Sequence, residues 1–356
     1  MKLIKLINTL ETFYPVDLAE DWDNVGLLLG DERKEVTRVL TTLEINEDVI
    51  DEAIERGAEL IISHHPLIFK PLKNLNYKNT QSRLIQNLIK NDIAVYCMHT
   101  NVDVAANGMN DWLAQILELE NLNVLVPTVE RKYKKILVEI TEEEMYKVID
   151  IFKKTGVGQR FNFMENINIT PKVKYATKHD NSEVELDVLI LESFVLEDQI
   201  KELKNEFYIN KIFNYEIMAI ENMSVHLGLG RVGHLKPTSL EQLAIKLKEL
   251  YSLDHVKIVG NRETIIRKVA IVGGAGSDTL EMAKIKGCDV LITGDVGFHT
   301  AQEALARNIA IIDPGHNIEI IFNDTMADFI NMFPSIIAFP SEIDTNPFEV
   351  IIWVLH

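Results

Sequence analysis

With only two cysteines in 356 residues, the chain has almost no material for a disulfide framework. Cys97 and Cys288 both sit in apolar, strand-like runs, so they are expected as packed thiols in a reducing compartment. Positive charge is also scarce. Lys and Arg total 36 against 54 Asp and Glu, leaving a net charge of −18. Non-specific binding to nucleic acid or an anionic membrane needs a clustered basic surface, and the densest basic stretch, Arg131 to Lys135, is small. Nucleic acid is therefore not an expected partner. No apolar run approaches the length of a membrane span. The first residues, MKLIKLINTLETFYP, space Leu3, Ile4, Ile7 and Leu10 like one helix face and lack the pattern of a signal peptide. The expectation is a cytoplasmic protein with no membrane association. Apolar residues at 47% and charged residues at 25% give a globular composition, long enough for two or three domains.

An internal repeat organises the chain. Residues 39–62, VLTTLEINEDVIDEAIERGAELII, align without a gap to 269–292, VAIVGGAGSDTLEMAKIKGCDVLI. Each copy reads as a strand, a loop, a helix ending at Gly57 or Gly287, and a second apolar strand. Such a unit implies parallel strands with a helix on the sheet face. Further on, NDIAVYCMHTNVD (91–103) matches RNIAIIDPGHNIE (307–319), pairing Asn101 with Asn317 and Asp103 with Glu319. The fold class expected is α/β, a duplicated core of two pseudo-symmetric halves, 1–129 and 225–356. Between them, 130–224 predicts strands at KKILVEI, ELDVLILESF and NYEIMAIEN, and helices at TEEEMYKVIDIFKKTG and LEDQIKELKN. Thr141 and Glu144 have the spacing of a capping box. This order suggests an inserted α+β, ferredoxin-like domain. GLGRVGHL (228–235) is expected as a Gly-rich turn back into the core.

The residues that can carry chemistry cluster at strand ends. SHHP (63–66) directly follows an apolar strand, at the edge where open α/β sheets place ligands. Neighbours in extended chain point to opposite sides, so His64 and His65 can each serve a different metal; one solvated and one packed histidine is the plainer alternative. MHTNVD (98–103) and PGHNIE (314–319) follow equivalent strands, and each ends in a carboxylate. His64, His65, Asp103, His316 and Glu319 then offer imidazoles and carboxylates together, a donor set suited to Zn, Mn or Fe rather than Ca or Mg. Two divalent ions on two carboxylates keep a charge of about +2, enough to acidify a water and clamp an anionic substrate. His99 is a candidate proton shuttle, further ligand or orienting partner. Asp295, aligned with His65, and His299 are near-site candidates. DWDNVG (21–26) reads as an Asx-type turn or as a loop capping the site. GGAG (273–276) lacks the rest of a phosphate-binding fingerprint and reads as a tight βα turn. The apolar C-terminal run IIWVLH suits burial in a core or interface.

At SHHP, HTNVD, GHNIE, DWDNVG and TGD (293–295), the sequence resembles the NIF-three-like family, whose bacterial members often carry the label of a GTP cyclohydrolase type 2 homolog. The resemblance covers about 1–125 and 227–356. It implies a duplicated α/β fold, a dinuclear metal centre on His64, His65, Asp103, His316 and Glu319, and a toroidal homohexamer. The middle segment is similar to the PII- or CutA-like insertion of longer members. The function implied is a metal-dependent hydrolase of a nucleotide-like or other anionic small molecule, its substrate unidentified. The alternative is a non-catalytic metal-binding regulatory, scaffold or metal-insertion hexamer.

Overall fold

The computed structural model describes residues 1–155, 157, 168–179 and 182–351. All of IIWVLH beyond Ile351 lies outside the described residues. Contacts divide the chain into two compact units. One comprises 1–7, 14–128 and 228–356; the other comprises 8–13 and 129–227.

The chain opens with α1 (Leu3–Phe13), whose residues up to Ile7 belong to the first unit and in which Leu3, Leu6, Ile7 and Leu10 are buried at helical spacing. There follow β1 (Gly26–Leu29), β2 (Arg38–Thr42), α2 (Glu47–Glu55), β3 (Leu60–Ser63), α3 (Thr80–Lys90) and β4 (Ala94–Cys97). Asn46 starts α2 by accepting from the Val49 N–H, and Gly57 ends it in the left-handed region at φ 66°. β2, β3 and β4 are parallel neighbours, with β1 antiparallel on the outside of β4. Their central residues are buried on both faces, which is why these strands read as continuous apolar runs. Two short helices, α4 (Thr100–Val104) and α5 (Met109–Ile116), come after β4.

The second unit contains most of β5 (Glu120–Thr141), α6 (Met145–Lys154), β6 (Asn168–His179), β7 (Ser182–Leu196), α7 (Ile200–Ile209) and the start of β8 (Tyr215–Ser239). Its strands lie in the order β6-β7-β5-β8. Alternate residues Ile136, Val138 and Ile140 of β5 meet Val148, Ile151 and Phe152 of α6 and Leu203 and Phe207 of α7 in one core. The Glu144 carboxylate accepts from the Thr141 N–H at 3.0 Å, closing the turn before α6.

The chain then returns to the first unit. GLGRVGHL is not a turn: it is part of β8, with Arg231 to His234 paired antiparallel to β10 (Ile265–Ile271). The glycines answer to close packing, since a Cβ on Gly228 would lie 2.0 Å from the Val126 carbonyl and one on Gly233 2.8 Å from Leu119. Arg231 itself is 1% exposed. All its donors are used: two on the Asp111 carboxylate at 2.7 Å, the rest on the carbonyls of Gly228, Gly230 and Ala105. Beyond β8 come α8 (Leu240–Leu250), β9 (Lys257–Val259), β10, α9 (Leu280–Ile285), β11 (Val290–Ile292), α10 (Phe298–Ala306), β12 (Ala310–Asp313) and α11 (Ile321–Asn331). β10, β11 and β12 are parallel, with β9 antiparallel on β12. This repeats the order and sense of β2, β3, β4 and β1. The fifth strand differs: β8 is antiparallel to β10, whereas β13 (Ile337–Pro340) runs parallel to β2.

Candidate metal centre

Two pairs of parallel strands, one pair from each sheet, deliver the site from their C-terminal ends, as open α/β sheets do. β3 runs into His64 and His65, whose N–H groups continue the ladder onto the carbonyls of Thr42 and Leu43. β4 runs into His99 and then Asp103 on α4. β11 leads to Asp295, and β12 to a helical turn carrying His316 and Glu319. His64, Asp103 and Glu319 are all buried.

The three predicted imidazoles share one arrangement: Nδ1 donates outward and Nε2 faces the centre. His64 Nδ1 donates to the Met98 carbonyl at 2.8 Å, His65 Nδ1 to Glu44 at 2.8 Å and His316 Nδ1 to Asp295 at 2.7 Å. Inside, Glu319 Oε2 lies 3.6, 3.3 and 3.2 Å from the Nε2 atoms of His64, His65 and His316. Asp103 Oδ1 is 3.8 Å from His64 Nε2, and the Nε2 atoms of His65 and His316 face each other at 3.2 Å. Ring nitrogens of His64, His65 and His99 also come within 4.8 Å of one another. The five residues expected as ligands are thus brought together, sorted as His64–Asp103–Glu319 and His65–His316–Glu319 with Glu319 common to both.

Sequence reasoning named Asp295, His99 and the DWDNVG loop near the site but missed Glu44, the Met98 carbonyl and Asn110. Glu44, just after β2, and the Met98 carbonyl fix two of the rings. Asp295 turns out to back His316, and Asp23 of DWDNVG receives His99 Nδ1 at 2.9 Å while its other oxygen accepts from the Thr100 N–H and hydroxyl. GGAG places Gly274 where a Cβ would lie 2.7 Å from Glu319 Oε1. The buried Asn110 amide joins the Asp103 helix to the GGAG turn that packs on Glu319, donating to the Asp103 carbonyl at 2.9 Å and accepting from the Gly273 N–H at 3.0 Å. Placement beside a parallel strand's C-terminal end was the one available signal for Glu44. His299 is exposed on α10 and belongs to none of the candidate ligand groups among the described residues.

The electrostatics call for a cation. Burial opposes charge on His65, yet hydrogen bonds and charge from Glu319 and Glu44 lift it to about 10. A hydrogen bond to Glu319, working against burial, raises His316 to about 9. Burial pushes Asp103 up to about 7, whereas the imidazoles around Glu319 overcome its burial and hold it well below the usual carboxylate range. His64 Nε2 and Asp103 Oδ1 are buried without a hydrogen-bond partner. Each such orphan costs about 1–3 kcal/mol unless something else meets it. Two donors about 2.1 Å from one tetrahedral ion stand about 3.4 Å apart, which matches the spacings here. These residues fit metal ions.

Comparison with known proteins identifies the family. The family model of Duf34/NIF3 (NGG1p interacting factor 3) matches residues 1–347. The GTP cyclohydrolase 1 type 2 homolog of Bacillus subtilis is 34% identical, covering 97% of this chain and 97% of its own. Its Halalkalibacterium halodurans counterpart is 32% identical over 97% and 98%. A Bacillus cereus crystal structure related to NIF3 superposes with TM-score 0.77 at 32% identity, covering 98% of each chain. A Staphylococcus aureus structure gives 0.71 at 30%, covering 99% of each. No helix among the described residues is long and apolar enough to cross a membrane. With its matched length, its strand-end motifs and its relatives in agreement, the chain belongs to the Duf34/NIF3 family.

Proposed function

We propose that this protein binds two divalent transition-metal ions, Zn, Mn or Fe, and uses them to hydrolyse a nucleotide-like or other anionic small molecule. One observation carries the reading. The Nδ1 atoms of His65 and His316 are held by carboxylates, so their Nε2 atoms face each other at 3.2 Å beside Glu319, an arrangement that a shared proton can relieve and that a metal ion would relieve by taking all three donors. His64, Asp103 and Glu319 would hold one ion, and His65, His316 and Glu319 the other. When bound, such a pair supplies Lewis acidity and an activated water. The protein's own part is to orient. Glu44, the Met98 carbonyl and Asp295 fix each ring's tautomer and direction. Asp23 fixes His99 through Nδ1 and leaves its Nε2 to exchange a proton with the substrate.

The same reading takes 1–129 and 225–356 as halves of a duplicated core, supported by the four matching strands, and 130–224 as a ferredoxin-like insertion, supported by the order β6-β7-β5-β8. It also takes the chain as a homohexamer, on family likeness. It places the protein in the cytoplasm, where its two free, buried thiols stay reduced.

Elemental analysis of protein purified without chelator is expected to find about two ions per chain, from the ligand count and donor preferences. Fewer than one ion per chain after reconstitution with Zn, Mn or Fe would sink the proposal. Glu44→Ala and Asp295→Ala are each expected to weaken metal binding about 10–100-fold, since each removes the acceptor that orients one ring. Competition with a chromogenic chelator reads this directly, and unchanged affinity in both would show that the carboxylates orient nothing. A substrate turned over equally by native and chelated protein would favour the non-catalytic scaffold.

A further inference from the structure

Beside the imidazole cluster lie two large aromatic side chains that the metal chemistry does not use. Trp22 is 58% exposed and Phe69 44%. Their rings meet at 5.8 Å between centroids, and Trp22 stands edge-on to His99 at 6.1 Å, 75° between planes. His99 in turn lies 5.2 and 5.6 Å from the His64 and His65 rings. An exposed aromatic alone is ordinary. This pair is built in: Asp23, next to Trp22, is held by His99 and Thr100, and the Asn24 amide donates to the Ile68 carbonyl, tying the two loops together. Lys70 and Lys73 follow on the Phe69 loop, both exposed and without an ion pair among the described residues, in a chain of net charge −18.

We infer that Trp22 and Phe69 form a stacking platform for the planar ring of an oxyanion-bearing substrate of the nucleotide or aryl phosphate type. The inference rests on the metal-centre reading, which places the oxyanion. The ring packs on Trp22 and Phe69, and Lys70 and Lys73 bias the entrance towards anions.

Calorimetry on the full-length, zinc-loaded protein with phenylphosphonate and methylphosphonate tests it, because the two probes share the anion and differ in the ring. The expected result is phenylphosphonate bound at least about tenfold more tightly, the scale of one stacked ring. Trp22→Ala and Phe69→Ala should each abolish most of that preference, leaving methylphosphonate binding and metal content unchanged. Equal binding of the two probes by the wild type overturns the inference, as does a preference that survives both substitutions. So does a Trp22→Ala protein that changes oligomeric state while keeping the preference, which would make the platform a subunit contact. Elemental analysis of the same samples separates the failures. Less than one ion per chain defeats the metal reading, whereas full loading without ring preference defeats the platform alone.

Discussion

Glu319→Gln is expected to deplete both metal positions at once, while His64→Ala or His65→Ala leaves about one ion bound, as ligands of separate ions should. The asymmetry follows from geometry. Glu319 Oε2 is within 3.6 Å of all three Nε2 atoms, whereas His64 faces Asp103 and His65 faces His316. A neutral amide keeps the shape but removes one of the two buried negative charges that favour cations here. The loss should be at least the roughly 100-fold seen when an orienting partner of a ligand is removed. Elemental analysis and chelator competition on the three variants decide it. A Glu319→Gln protein that keeps one ion at native affinity would show that the carboxylate is not shared. Any hydrolytic activity should fall by orders of magnitude in all three, because such groups act as a unit.

The second large effect is on stability. Arg231→Met is expected to cost about 3–5 kcal/mol, because Asp111 would be left as an uncompensated buried charge. Arg231 and Asp111 are 1% and 3% exposed, and their two bonds are both 2.7 Å. Urea unfolding measures the loss, and the double variant Arg231→Met with Asp111→Leu should recover most of it. A loss below about 1 kcal/mol in the single variant would contradict this, placing the pair with exposed ion pairs of little worth. Because Arg231 also grips the Ala105 carbonyl, two residues beyond Asp103, the variant should loosen the Asp103 loop before the rest unfolds.

Local chemistry decided what could be read in advance. Strand runs, Gly-terminated helices and the motifs at strand ends are encoded within a few residues, so SHHP, Asp103 and PGHNIE were legible as one constellation. The supports were not. Glu44 acts on a ring 21 residues away, Asn110 on a loop 163 residues away, and the Met98 contribution is a backbone carbonyl available to any residue type. GLGRVGHL misled because three glycines in eight residues usually mark a turn. Here they let neighbouring chain segments pass at contact distance, which is long-range packing that sequence spacing does not carry. Arg231 in the same stretch carries no local mark of its burial. Only the fold reveals the carboxylate and carbonyls that bury it.

Asn110 has a consequence for which ions the centre accepts. Its amide ties the Asp103 backbone to the turn that packs against Glu319, so the spacing of the two carboxylates belongs to the fold and not to its occupant. A frame set in this way selects by ionic radius. Calcium, which seeks about 6–8 oxygens at 2.3–2.6 Å, would find only the oxygens of Asp103 and Glu319 among the proposed ligands. Smaller ions that bind imidazole nitrogen at about 2.0–2.1 Å meet donors already at their distance. On the proposed reading, exchange among those smaller ions would need no rearrangement of the chain, and the metal bound would follow local supply.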